Sequence, residues 1–212
     1  MAGKDKAFER VEAAIAHTRA DIAALTRYFD QCEVLAELYS RPVYLAKSRR
    51  GQQRAHFAIF IPHAAYSGLD PNDRSKPCIG TVIQVVGAPM LGYAHEFKRN
   101  YDREDADGVE TFVHLGSVGP DHIVEPQTTA MSRDTVATGL LERIALQVPA
   151  PGVNENFMAP VNDTTNRRCQ EWTMEYLRRL VSQGHIEESA VTIAQGERDP
   201  PEYGIGLRRV GS

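Results

Sequence analysis

The chain has little of what usually settles a function class at a glance. It holds three cysteines in 212 residues, an odd and widely spaced set that excludes a disulfide framework. With the histidines scattered as well, no four-ligand spacing for a structural zinc site emerges, so no metal or cofactor is expected. The net charge of −4 leaves no general basic footprint for nucleic acid, although a local patch is compatible with it. No apolar run approaches the length of a membrane span, and the start, Met1 to Arg10, lacks the apolar core of a signal peptide. The expectation is a cytoplasmic, reduced protein with no membrane partner. Gly116-Ser-Val-Gly119 and Gly204-Ile-Gly206 are too short for phosphate loops and read as turns. Internal repeats and low-complexity tracts are absent too.

What is present is the material of one globular domain. Hydrophobic content of 42% and charged content of 25% suit a single α+β domain with a substantial core. In residues 1–40, Val11, Ile15, Ile22, Leu25, Phe29, Leu35 and Leu38 recur at roughly helical spacing and predict a helical extension. It suits packing or oligomerisation better than a membrane surface, since its charges are mixed. Residues 41–120 form a strand-rich region. Strands are predicted at Val43-Tyr44-Leu45, Arg54 to Ile61, Gly80 to Gly87, Gly92 to Asn100 and Glu110 to Leu115. Pro62 to Pro77 reads as an exposed loop and Asp102 to Gly108 as an acidic turn. Residues 130–200 form a helical region: Ser132 caps a helix to about Gln147, a second helix carries Cys169, and a third spans Glu187 to Gln195. Strands do not alternate with helices, which disfavours a Rossmann fold and predicts a mostly antiparallel sheet.

The most informative segment is Asn162 to Val181. Cys169, Trp172, Thr173, Tyr176, Leu177 and Leu180 form one inward stripe of an amphipathic helix. With Asn166 as N-cap, Cys169 is expected at the third helical position, within the positive field of the helix start. That field, with Arg167 and Arg168 beside it, lowers a thiol pKa and favours the nucleophilic thiolate. The same stripe suits a cysteine that only packs, and both readings stand at this point.

A thiolate nucleophile needs a base, and the base needs an orienting group. His56 opens the apolar strand Phe57-Ala58-Ile59-Phe60-Ile61. Gln84 sits in the middle of Val82-Ile83-Gln84-Val85-Val86 and needs a partner if buried. His95 is the next candidate base; His63 and His114 are weaker ones.

His-Phe-Ala-Ile-Phe-Ile (56–61), Gly-Thr-Val-Ile-Gln-Val-Val-Gly (80–87) and Cys169-Gln-Glu-Trp172 together resemble the circularly permuted NlpC/P60-like group. That group includes the lecithin–retinol acyltransferase-like enzymes. The resemblance implies a papain-like fold and acyl transfer through a cysteine thioester, with His56 as base, Gln84 as orienting residue and Cys169 as nucleophile. Gln84 stands where that group usually has histidine, and Arg168 where asparagine usually precedes the cysteine. Asn166, Arg168, Trp172 and His95 are then candidates to contact substrate.

The whole chain is also similar to a group of filamentous-fungal proteins that share Val-Val-Gly-Ala-Pro-Met (85–90), Glu-Phe-Lys-Arg-Asn-Tyr (96–101) and Asn-Arg-Arg-Cys-Gln-Glu-Trp-Thr (166–173). Some fungal proteins of this size are arginine-containing cyclodipeptide synthases, which draw arginine from aminoacyl-tRNA. On that resemblance tRNA would be the acyl donor, and Asp163, Glu171, Glu96 or Glu125 would hold a guanidinium. A cysteine amidase or peptidase, or a non-enzymatic binding module in which Cys169 is structural, is the alternative.

Overall fold

The computed structural model describes residues 15, 17–19, 21–31, 39–49, 51, 53–105 and 109–203. Expectations on Val11, Cys32, Leu35, Leu38, the end of the acidic turn and Gly204 to Gly206 fall outside them. Two compact units are present, 1–40 and 41–212. The first contains helix α1, which includes residues 21–31; within it Thr26 Oγ1 donates to the Ile22 carbonyl at 3.0 Å.

The second unit is α+β, built on a six-stranded antiparallel sheet. Its strands are β1 (Arg41–Ser48), β2 (His56–Pro62), β3 (Ile79–Ala88), β4 (Gly92–Asp102), β5 (Val109–Val118) and β6 (Ser132–Asp134), in the spatial order β5-β1-β2-β3-β4-β6. Helices α2 (Leu140–Leu146), α3 (Cys169–Ser182) and α4 (Ser189–Gly196) follow. β-Branched and aromatic runs make five of these strands. The β3–β4 hairpin needs glycine at 87, where φ is +151° and a Cβ would lie 2.1 Å from the Gly92 carbonyl oxygen.

Strand alternation divides the core in two. Val43, Leu45, Phe57, Ile59, Ile61, Ile83, Val85 and Phe97 face the helices and meet Leu141, Ile144, Trp172, Tyr176, Leu177 and Leu180. Ala46, Ala58, Phe60, Val82, Tyr101 and Phe112 form a smaller cluster with Cys78 on the opposite face. The segment Pro62 to Pro77, read as an exposed loop, lies against that cluster through Tyr66. Asn72 pins it by exchanging two 2.9 Å hydrogen bonds with the backbone of Phe112.

Two expectations are corrected. Ser132 caps no helix: Ser132-Arg133-Asp134 is an edge strand paired to β4 from Arg99 to Phe97, and α2 begins only at Leu140. The N-cap of α3 is Arg168 and not Asn166, so Cys169 is the first helical residue rather than the third. Asn166 instead closes the preceding loop, donating to the carbonyls of Ala159 at 2.7 Å and Pro160 at 3.2 Å.

Candidate active site

The site begins where the sheet comes apart. β2 pairs with β3 from Pro62↔Gly80 to Ile59↔Ile83, and the ladder stops there although both strands continue. Past that fork the backbone of β2 needs other partners, because a buried N–H or C=O left unpaired is costly. The start of α3 and the segment after α4 supply them. Gln170 Nε2 donates to the Ala55 carbonyl at 2.8 Å, and the Ala55 N–H donates to Asp199 Oδ2 at 2.7 Å. Cys169 Sγ also lies 4.0 Å from the Ala55 carbonyl oxygen.

A buried carboxylate holds the helix start in this position. Glu171 accepts from the Arg168 N–H at 3.0 Å, closing the first turn from its third residue. It is clamped by Arg54 at 3.0 and 2.8 Å and by Arg198 at 2.8 Å, with no exposure of its own side chain. Three cationic or backbone donors around one carboxylate offset its desolvation. Arg198 is shared with Asp163, at 2.7 Å.

Three expected residues meet at the fork. The Cys169 thiol and the His56 ring are electrostatically coupled, each shifting the other toward its charged form. His56 Nε2 lies 2.8 Å from Gln84 Oε1, which leaves Nδ1 as the ring nitrogen available to the thiol. Gln84 is 3% exposed, and its amide nitrogen donates to Glu96 Oε1 at 2.7 Å. Gln84 and Glu96 are opposed in the β3–β4 register. By alternation they share the face of Val82, away from the helices, as does His56 with Ala58. The thiol reaches them from the helix side only because the fork is open.

The electrostatics follow from this geometry. Burial opposes a charged sulfur, yet the charge of His56, its hydrogen bond and the Phe57 N–H hold the Cys169 thiol below its ordinary pKa. Burial pulls His56 down, but the charge and hydrogen bond of Cys169, aided by Gln84, lift it above the usual imidazole value. Opposite shifts in two coupled groups favour a thiolate–imidazolium pair. Cys78 supplies the contrast: buried without such a partner, its thiol is pushed up to about 11. Cys169 keeps partial exposure, whereas Cys78 is buried.

A family model described as Family of unknown function (DUF6540) matches residues 43–187. The chain belongs to DUF6540. The matched span of this DUF6540 member includes Cys169, His56, Gln84 and Glu96. No curated protein and no solved structure matches the chain.

The remaining expected residues lie elsewhere in the architecture. Trp172, considered for substrate contact, is 0% exposed; its indole donates to the Val148 carbonyl at 3.0 Å and stacks on Tyr176, so it is core. His95 also faces inward, 2.9 Å from the same carbonyl oxygen and edge-on to Trp172. Arg168 donates to the Phe157 carbonyl at 2.9 Å. The carboxylates considered for a substrate guanidinium meet cations of the chain itself: Asp163 and Glu171 as described, Glu125 with Arg41 at 2.7 Å, and Glu96 with Arg133 at 3.8 Å. Among the described residues no group of three or more His, Cys, Asp or Glu side chains could hold a metal ion, and no helix is long and apolar enough to cross a membrane.

Sequence reasoning missed Glu96 as the partner of Gln84, and Gln170 and Asp199 as the partners of the open β2 edge. An acidic residue in a strand otherwise rich in aromatic and basic side chains was the only local signal for Glu96.

Proposed function

We propose that this protein is a cysteine-dependent acyl-transfer enzyme with Cys169 as nucleophile, His56 as acid–base and Gln84 as the residue that orients His56. The observation that carries the reading is His56 held 2.8 Å from Gln84 Oε1 and electrostatically coupled to the thiol of Cys169. A helix-borne cysteine against a strand-borne histidine and a polar residue on the next strand supports a papain-like, permuted NlpC/P60-like assignment of the α+β fold.

In this mechanism the thiolate attacks the carbonyl carbon of an ester or amide and a C–S bond forms. The N–H groups at the start of α3, which have no partner within the helix, stabilise the oxygen as it gains charge. The imidazolium of His56 protonates the leaving alcohol or amine as its bond to carbon breaks, giving a thioester and a neutral ring. The neutral ring then takes a proton from the incoming amine or water, whose attack releases the acyl group and restores the thiolate.

The test is direct. Incubation with a panel of acyl donors, comprising amino-acid esters, small amides and aminoacyl-tRNA, should add an acyl mass to the Cys169 peptide of the wild-type protein and not to Cys169→Ala. The donor that acylates identifies the substrate class, and arginyl-tRNA giving a cyclic dipeptide would select the synthase. A folded wild-type protein whose Cys169 reacts neither with any donor nor with iodoacetamide would leave a structural cysteine and defeat the proposal.

A further inference from the structure

We propose that Glu96 is a positioning residue which, through the amide of Gln84, decides which nitrogen of His56 carries the proton. The inference rests on the catalytic reading above, but it can be tested apart from it. His56, Gln84 and Glu96 form a row across three adjacent strands, with contacts of 2.8 Å and 2.7 Å. A primary amide has an acceptor end and a donor end, and a carboxylate offers acceptors only. Glu96 therefore fixes the amide of Gln84 with its nitrogen toward β4 and its oxygen toward His56. An acceptor facing Nε2 requires that Nε2 carry the hydrogen, and the lone pair of the neutral ring is left on Nδ1, beside the thiol.

The reversed amide would set its oxygen against the Glu96 carboxylate, acceptor against acceptor, at the distance of a short hydrogen bond. It would also present a donor to Nε2 and move the ring hydrogen to Nδ1. A neutral imidazole protonated on that side cannot take the proton of the thiol. Gln84 is 3% exposed, so water has little room to replace what Glu96 supplies. Arg133 on β6 lies 3.8 Å from Oε2 of the carboxylate and Lys98 on β4 4.0 Å from Oε1.

The tautomer is read by 15N NMR of His56 in a Cys169→Ala background, where the ring is neutral at alkaline pH and no thiolate competes. The expected spectrum has a pyrrole-like Nε2 and a pyridine-like Nδ1. Adding Glu96→Leu should give a mixed or reversed pattern, and Glu96→Gln, whose amide can turn either its donor or its acceptor end to Gln84, should give a mixed one. Glu96→Ser, too short to reach the amide, serves as the second disrupting variant if the leucine protein does not fold. In proteins that otherwise keep the wild-type Cys169, the leucine or serine change should slow iodoacetamide alkylation on the order of tenfold to a hundredfold. That is less than the roughly ten-thousandfold seen when the residue directly orienting a catalytic histidine is altered. A parent protein with its hydrogen on Nδ1, or an unchanged tautomer in a folded disrupting variant, would overturn the inference. An inert Cys169 with the expected tautomer changes would overturn the acyl-transfer reading and leave the role of Glu96 in orienting the ring standing.

Discussion

Gln170 and Asp199 bond to each other twice: the Asp199 N–H donates to Gln170 Oε1 at 3.0 Å, and Gln170 Nε2 donates to Asp199 Oδ2 at 2.9 Å. This reciprocal pair ties the segment after α4 to the residue that follows the candidate nucleophile. Asp199 also meets Arg49 at 2.5 Å and the Ala55 N–H.

Asp199 should therefore make the fold acid-sensitive. Burial raises its pKa, but Arg49, the Ala55 N–H and Gln170 together hold it below the ordinary aspartate value. A carboxyl with a depressed folded value adds stability above its unfolded value and loses it as pH falls through the folded one. Asp199→Asn should lower the melting temperature at neutral pH and shrink the drop seen below about pH 4. Thermal melts of both proteins from pH 3 to 7 measure this, and parallel curves would count against it.

Alkylation should separate the two described cysteines. Brief iodoacetamide treatment at pH 7 should modify Cys169 and spare Cys78, whose thiol is pushed up to about 11. Peptide mass mapping gives the ratio. Preferential labelling of Cys78 in native protein would contradict the assigned electrostatics.

His56→Ala removes the largest influences that lower the Cys169 thiol, leaving only the Phe57 N–H to oppose burial. The pH at which alkylation of Cys169 sets in should then move upward. Acyl transfer should fall by at least a hundredfold, as for loss of a general base. Rate against pH for both proteins is the measurement; superimposed profiles would redirect attention from His56.

Two buried residues should matter for stability without touching the chemistry directly. Trp172→Ala should cost about 3–5 kcal/mol through the cavity it leaves, and Trp172→Phe less. Glu171→Ala should cost a similar ~3–5 kcal/mol, since Arg54 and Arg198 lose the carboxylate they share. Urea titration of the three variants checks both figures.

Much of the sheet was legible because β1 to β5 are built from local runs of β-branched and aromatic residues. The α3 stripe was legible for a similar reason: periodicity is a local property. β6 was not, because three polar residues carry no apolar alternation and Ser132 imitates a helix cap. The N-cap was misread because a glutamate three residues on bonds the Arg168 N–H, while Arg168 itself makes no side-chain cap. At the site, His56 and Gln84 stood out as polar residues in apolar strands. Glu96, Gln170 and Asp199 did not, since their partners lie in other elements and only the folded register joins them.

The open fork between β2 and β3 makes thiol chemistry a gauge of folding. The groups that lower the Cys169 thiol, His56 and the Phe57 N–H, belong to an unzipped strand edge while the sulfur sits on a helix tip, and no stretch of sequence holds both. A chain whose α3 has let go of β2 carries an ordinary cysteine. Pulse labelling at mildly acidic pH would thus count native molecules, and a protein that loses its packing would lose its reactive sulfur with it.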